Sequence, residues 1–140
     1  MTQHIEVVKF DHPTEEPDLS LQTAQLVLEI GNYKQTRDVE MILGNMASRT
    51  TVAAVDGYGQ VVGTAGLKRI HCGLGVLDDV VSDPRKRGLG IGKKVVMTAE
   101  QLAFDEGILE LNLASSLTAI SFYKHIGYTQ LGERMFRKFL

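Results

Sequence analysis

Apolar residues along the chain repeat with two periods, and the change from one to the other marks its elements. Residues 5–10 are short and β-rich and read as a first strand. A polar break from His12-Pro13 to Pro17-Asp18 follows. Leu21, Ala24, Val27 and Leu28 then fall at helical spacing and predict an amphipathic helix ending near Gly31-Asn32. Val39, Ile42, Leu43 and Met46 predict a second helix, with Thr36 as its N-cap. Residues 51–55 and 61–67 are strands joined by Asp56-Gly57-Tyr58-Gly59, a strong turn signal. Residues 68–73 read as a polar connection and 76–82 as a third consecutive strand. A helix from Leu89 to about Asp105 is marked by Ile91, Val95, Ala99 and Leu102 and closes at Gly107. Residues 108–114 are a strand with Leu109, Leu111 and Leu113 on one face. Ala119, Phe122, Tyr123 and Ile126 predict a short helix stopping at Gly127, and residues 128–131 and 135–140 predict two final strands. Hairpin-joined strands followed by strand–helix alternation predict an α/β (α+β) fold. Its mixed, largely antiparallel sheet would have six to seven strands, flanked by about four helices, in a single domain over residues 1–140.

Composition narrows the class. An apolar content of 44% over 140 residues is enough for one compact core. The net charge of −2, with both signs interspersed, argues against nucleic-acid or membrane-surface partners. Cys72 is the only cysteine, the start of the sequence lacks signal-peptide character, and no apolar run is long enough to span a membrane. A cytoplasmic location is the expectation.

Candidate chemistry concentrates at VVSDPRKRGLGIGKK, residues 80–94. A strand ends at Asp83-Pro84, the cations Arg85, Lys86 and Arg87 follow, and Gly88, Gly90 and Gly92 alternate with Leu89 and Ile91 as a helix begins. Bare amides at the positive end of a helix dipole form a phosphate-binding site, and the glycines admit close approach. The spacing excludes two familiar nucleotide loops. Gly92-Lys93 is followed by Lys94 rather than Ser or Thr, and counting a G-x-G-x-x-G from Gly88 puts Lys93 at its last position.

What fits is Arg87-x-x-Gly90-x-Gly92 between a strand and a helix, with Ala119, Tyr123 and Gly127-Tyr128 downstream. Together these resemble the two motifs of the GNAT (GCN5-related N-acetyltransferase) superfamily, although the asparagine usual at the start of the second is absent. The resemblance implies an enzyme that uses acetyl-CoA. It places the CoA pyrophosphate on the amides of Arg87, Gly88, Leu89, Gly90, Ile91, Gly92 and Lys93, beside the strand residues Val80 and Val81. It also implies that Tyr123 contacts the cofactor and gives a proton or hydrogen bond to the departing thiolate. A core tyrosine is the plainer alternative for that residue.

The strand GVLDDVVSD, residues 75–83, is similar to that of the glucosamine-6-phosphate N-acetyltransferases, with Asp78-Asp79 where that branch has Glu-Asp. This implies a small primary amine as substrate, an amino sugar phosphate being the best guess, with Asp78 and Asp79 binding it and relaying its proton. Adjacent strand residues point to opposite faces, so at most one acid reaches a cleft unless a β-bulge intervenes. Lys124 and Arg69 are candidate anchors for a substrate phosphate, against the alternative of solvated surface charge. His71, in the polar connection, reads as surface. His4, His12 and His125 lack ligand spacing, so no metal site is expected. Residues 135–140 are apolar enough to pair across subunits, and the resemblance implies a homodimer. Alternatives are another small amine or a protein amine as acceptor, or a CoA-binding regulatory module without catalysis.

Overall fold

The computed structural model describes residues 4–31 and 36–140. Seven strands form one sheet in the order β1-β2-β3-β4-β5-β7-β6. They are β1 (Glu6–Phe10), β2 (Thr50–Val55), β3 (Val61–His71), β4 (Leu74–Ser82), β5 (Glu110–Ala114), β6 (Thr129–Gln130) and β7 (Met135–Phe139). Four α-helices accompany them: α1 (Pro17–Ile30), α2 (Val39–Met46), α3 (Ile91–Asp105) and α4 (Ile120–His125). Every neighbouring pair is antiparallel except β4 with β5, which α3 connects. The mixed, mostly antiparallel architecture read from the sequence is the one observed.

The helices divide between the two faces. Ile91, Val95, Val96, Ala99 and Ala103 make a stripe along α3 that packs with Leu67, Leu77, Leu111 and Leu113. Ala24 and Val27 of α1 and Ile42 and Met46 of α2 form a second core with Phe10, Ala53 and Val61. Burying each such Val, Leu or Ile contributes roughly 1.5–3 kcal/mol of transfer free energy, so each helix is fixed by its stripe rather than by propensity.

Several boundaries differ from the sequence-based expectation for local reasons. The β3–β4 hairpin turns only at Cys72-Gly73, so Lys68 to His71 continue β3. Lys68, Arg69 and His71 are polar, and Ile70 is exposed, because this end of the strand projects into solvent. Asp38, not Thr36, caps α2, its carboxylate accepting the Met41 amide at 2.9 Å. Asn32, half of the expected stop of α1, lies outside the described residues; Gly31 caps that helix. Leu109 does not join Leu111 and Leu113 in the core: β5 starts one residue later and Leu109 is 65% exposed. The β2–β3 turn forms as expected, with Asp56 Oδ1 accepting the amides of Tyr58 and Gln60.

Among the described residues no helix is long and apolar enough to cross a membrane.

Candidate active site

Two irregularities in β4 shape the centre of the molecule. Its parallel pairing with β5 is confined to Leu74–Val76 opposite Glu110–Asn112, although β4 runs on to Ser82 and β5 to Ala114. Beyond Val76 the strands part, leaving one backbone edge of β4 open. The second irregularity is a bulge. Thr64 pairs with Val81 but Gly66 with Asp78, so Asp79 and Val80 together face Ala65. Asp79 has φ +48°, the single non-glycine residue with positive φ among those described. A bulge changes the phase of every later side chain. Val80 accordingly packs toward the α3 core and Val81 toward the α1–α2 core.

The bulge resolves the geometry of the two acids. Asp78 and Asp79 do not diverge; both reach Nη1 of Arg49, from Asp78 Oδ1 at 2.5 Å and Asp79 Oδ2 at 2.7 Å. Arg37 adds a two-pronged pair to Asp79, Nη1 to Oδ1 at 2.7 Å and Nη2 to Oδ2 at 3.1 Å. Asn45 Nδ2 donates to Asp78 Oδ2 at 3.3 Å. The Arg49 side chain is wholly buried and that of Asp79 is 5% exposed, whereas Asp78 keeps 29% of its surface. Burial pushes the Asp79 carboxyl up, but the hydrogen bond from Arg37 and the charge and hydrogen bond of Arg49 outweigh it. The group is held below its ordinary value. It is therefore ionised near neutrality, with both carboxylate oxygens taken up by the two arginines. The apolar periodicity gave no notice of Arg37, Asn45 or Arg49, which lie upstream between α1 and β2. The usable signal was Gly66, a glycine in mid-strand: a Cβ there would meet Asp78 Oδ1 and would lie 2.7 Å from Arg49 Nε.

The turn after β4 is built as its glycines require. Asp83 accepts the Arg85 amide at 2.9 Å and pairs with the Arg85 guanidinium, which holds its carboxyl below the ordinary value. Arg85 is thus turned back onto its own loop. Gly88 (φ +84°) and Gly90 (φ +67°) occupy the left-handed region, and Gly90 caps α3 with no side-chain hydrogen bond to the helix end. The first bond at this end runs from the Lys94 amide to Gly90 O at 3.0 Å, so the amides of Ile91, Gly92 and Lys93 precede the helical ladder. Arg87, Lys93 and Lys94 are exposed and enter no ion pair among the described residues. A Cβ added at Gly88 or Gly90 would meet nothing within 4 Å, which leaves the surface above these amides open to an anion.

Alpha4 completes the surroundings. A Cβ at Gly92 would lie 3.4 Å from Phe122, which places α4 against the start of α3. Tyr123 is buried, its ring edge-on to Phe122 at 5.1 Å and to Tyr128 at 5.7 Å and tilted against Phe136 at 5.8 Å. Tyr128 donates to Glu100 Oε2 at 2.8 Å; burial, then the Glu100 charge, push its hydroxyl far above the usual range. Its hydroxyl is held protonated and engaged with Glu100. The turn, the end of β4 and the α4 aromatics thus come together, with the two acids a few residues upstream on β4.

The two candidate phosphate anchors fare differently. Lys124 is exposed in the last turn of α4. Arg69 forms a two-pronged pair with Glu106, both contacts 2.6 Å, in a cleft of about 490 Å3 that Lys9, Asp11 and Asp105 also line. That cleft is at the C-terminal end of α3, roughly 22 Å of helix away from the glycine turn. Arg69 also lines a second pocket with Ser48 and Arg49, but its guanidinium is committed to Glu106 and lies far from the glycine turn.

A Trypanosoma brucei brucei protein named glucosamine 6-phosphate N-acetyltransferase is 29% identical over 143 residues, covering 98% of this chain and 87% of the relative. A Drosophila melanogaster protein described as a probable glucosamine 6-phosphate N-acetyltransferase is 30% identical over 120 residues, covering 79% of this chain and 55% of the relative. The crystal structure of a GNAT-family acetyltransferase from Staphylococcus aureus superposes with a TM-score of 0.81 at 19% identity, covering 98% of this chain and 99% of that one. Residues 13–128 match the pattern of the Acetyltransferase (GNAT) family, and the chain is a member of that family.

Proposed function

We propose that the protein transfers an acetyl group from acetyl-CoA to a small primary amine, with glucosamine 6-phosphate the first acceptor to test. The observation that supports this most is the adjacency of two vacated hydrogen-bonding surfaces: the uncapped start of α3 and the edge of β4 past Val76. The first suits a pyrophosphate on the amides of residues 87–93, with Arg87 and Lys93 beside it. The second suits the extended, amide-bearing arm of CoA, which can add to a sheet edge as a strand does. Bound there, the cofactor supplies the acetyl thioester.

The chain's own groups then divide the work. Asp78, half-open to solvent and bound on its outer oxygen only by Asn45, receives the acceptor ammonium. Asp79 stays ionised and is occupied by Arg37 and Arg49, so it holds the bulge while Asp78 keeps the solvent-facing carboxylate oxygen. Proton loss from the amine passes through Asp78 or water to solvent, because Asp79 is too weak a base. Tyr123, next to the Phe122 that packs on the start of α3, donates to the thiolate sulfur as it leaves. Lys124 is the candidate contact for an acceptor phosphate. The protein acts as a homodimer in the cytoplasm in this reading. A monomeric sedimentation coefficient at micromolar concentration would contradict the first part.

The decisive experiment follows thiol release from acetyl-CoA with glucosamine 6-phosphate, glucosamine, spermidine and a lysine peptide. Turnover greatest with glucosamine 6-phosphate is expected. Robust turnover on spermidine or peptide with none on the sugar phosphate would overturn the choice of acceptor. Tight CoA binding with no turnover on any amine would point to a regulatory module instead.

A further inference from the structure

We infer that Arg49 is the positioning residue of this site, its guanidinium gathering the two carboxylates of β4 and so fixing the bulge that separates β4 from β5. Its effect on catalysis rests on the acetyl-transfer reading; its effect on the backbone does not.

The first line of argument is convergence. One nitrogen, Nη1, contacts both Asp78 and Asp79, and in a regular strand neighbouring side chains point to opposite faces. The shared contact is compatible with the bulged backbone alone. The second is strain. Asp79 sits at φ +48°, a region a non-glycine residue occupies only where its surroundings over-determine it. Arg49 and Arg37 are the groups that bind its carboxylate in this conformation. Of the two, Arg49 is the fixed one. It stands between the end of α2, where its amide meets Met46 O, and Thr50, which opens β2 opposite Leu67.

The third line is the room made for it. Gly66 is the β3 partner of Asp78, and the guanidinium occupies the space where a side chain at position 66 would lie. The fourth is that this arginine is poorly used by any measure except the acids. Its Nε and Nη2 are buried without a hydrogen-bond partner. A buried ion pair seldom stabilises more than apolar residues of the same size, and orphaned donors make it less favourable still. Such a residue is explained by the geometry it imposes. Without it, the buried Asp79 carboxylate and the adjacent, part-exposed Asp78 carboxylate repel, and β4 relieves this by regularising. Asp79 then moves to the α3 face, Val80 and Val81 exchange faces, and the opening toward β5 narrows.

The test uses Arg49→Met, Arg49→Lys and Gly66→Ala in the full chain. Carbon-13 α shifts of isotopically labelled protein report the Asp79 backbone directly. The left-handed signature of the wild type is expected to change to an extended one in Arg49→Met and Gly66→Ala. Arg49→Lys keeps the charge but offers a point contact instead of a fork, and an intermediate shift is expected. In kinetics, kcat/KM for the acceptor is expected to fall about a hundredfold in Arg49→Met, as for a reacting group displaced by about 1 Å. Arg49→Lys recovers part of the loss, and the dissociation constant of CoA changes far less. Gly66→Ala removes no charge, so the same defect there separates geometry from electrostatics, and it remains available should Arg49→Met not fold. An Asp79 shift unchanged in folded Arg49→Met, or in Gly66→Ala, overturns the inference. So does a loss of activity that follows melting temperature alone, with lysine no better than methionine. The shift measurement needs no substrate. Absence of turnover by the wild type would refute the acetyl transfer and leave the backbone role to be decided by the shifts.

Discussion

Replacing Gly63 with alanine adds one methyl group beneath the start of α3 and is expected to weaken cofactor binding. The added Cβ would collide with Cγ2 of Ile91, with Val81 O at 3.5 Å and Ala54 Cβ at 3.8 Å closing the other sides. Ile91 is 3% exposed and is the first residue of α3, so it cannot swing into solvent; the helix start must shift instead. Overpacking of this kind costs about 1–3 kcal/mol. Ile91→Ala alone leaves a cavity and costs about 2–5 kcal/mol. In the double variant the new methyl occupies space that Ile91 vacated, so the sum should exceed the observed loss by about 0.5–3 kcal/mol. The chain has no tryptophan, so urea unfolding is best followed by far-ultraviolet circular dichroism. The amides of Ile91, Gly92 and Lys93 move with the displaced turn, and CoA affinity by calorimetry is expected to fall about tenfold in Gly63→Ala, or ~1.4 kcal/mol. Part of that loss should return in the double variant. Strictly additive costs together with unchanged CoA affinity would refute the claim that Gly63 seats the binding turn.

Three further outcomes are expected. Tyr123→Phe should lower kcat while leaving the CoA dissociation constant nearly unchanged, since its ring packing persists; an unaltered kcat would remove Tyr123 from the reaction. Tyr128→Phe should leave the acceptor KM alone and lower unfolding free energy by about 1–2 kcal/mol through loss of its bond to Glu100; a kinetic effect without a stability loss would contradict its structural role. Asp79 has a folded-state pKa below its unfolded value, so its stabilisation is present above the ordinary carboxylate range and disappears as pH falls through the depressed value. Urea midpoints of the wild type should therefore drop more steeply on acidification below about pH 4 than those of Asp79→Asn, and parallel curves would show that Asp79 is not coupled to folding.

The elements easiest to read in the sequence were those whose signals are local. The Asp56–Gly59 turn, the α3 stripe and the glycine turn each depend on neighbours within one or two helical turns, and each formed as expected. The bulge was not legible. It depends on Arg49 and Arg37, separated from Asp79 by 30 and 42 positions, and an arginine between two elements gives no sequence sign that it will be buried. The pairing of Arg69 with Glu106 was hidden for a related reason. Sequence order placed Arg69 just before the acids, but an antiparallel hairpin carries β3 away from the glycine turn, and Glu106 captures it there. Lys68 to His71 were misread because polarity marked strand residues that overhang the sheet as a loop.

The brief parallel contact of β4 with β5 has a mechanical consequence. Two antiparallel blocks, β1 to β4 and β5 with β7 and β6, meet in the sheet along a seam of three residue pairs, Leu74–Val76 on Glu110–Asn112. A molecule lying in the gap would supply rungs that the ladder lacks and clamp the blocks together. Amide exchange at the seam should therefore slow on ligand binding more than exchange deep within either block.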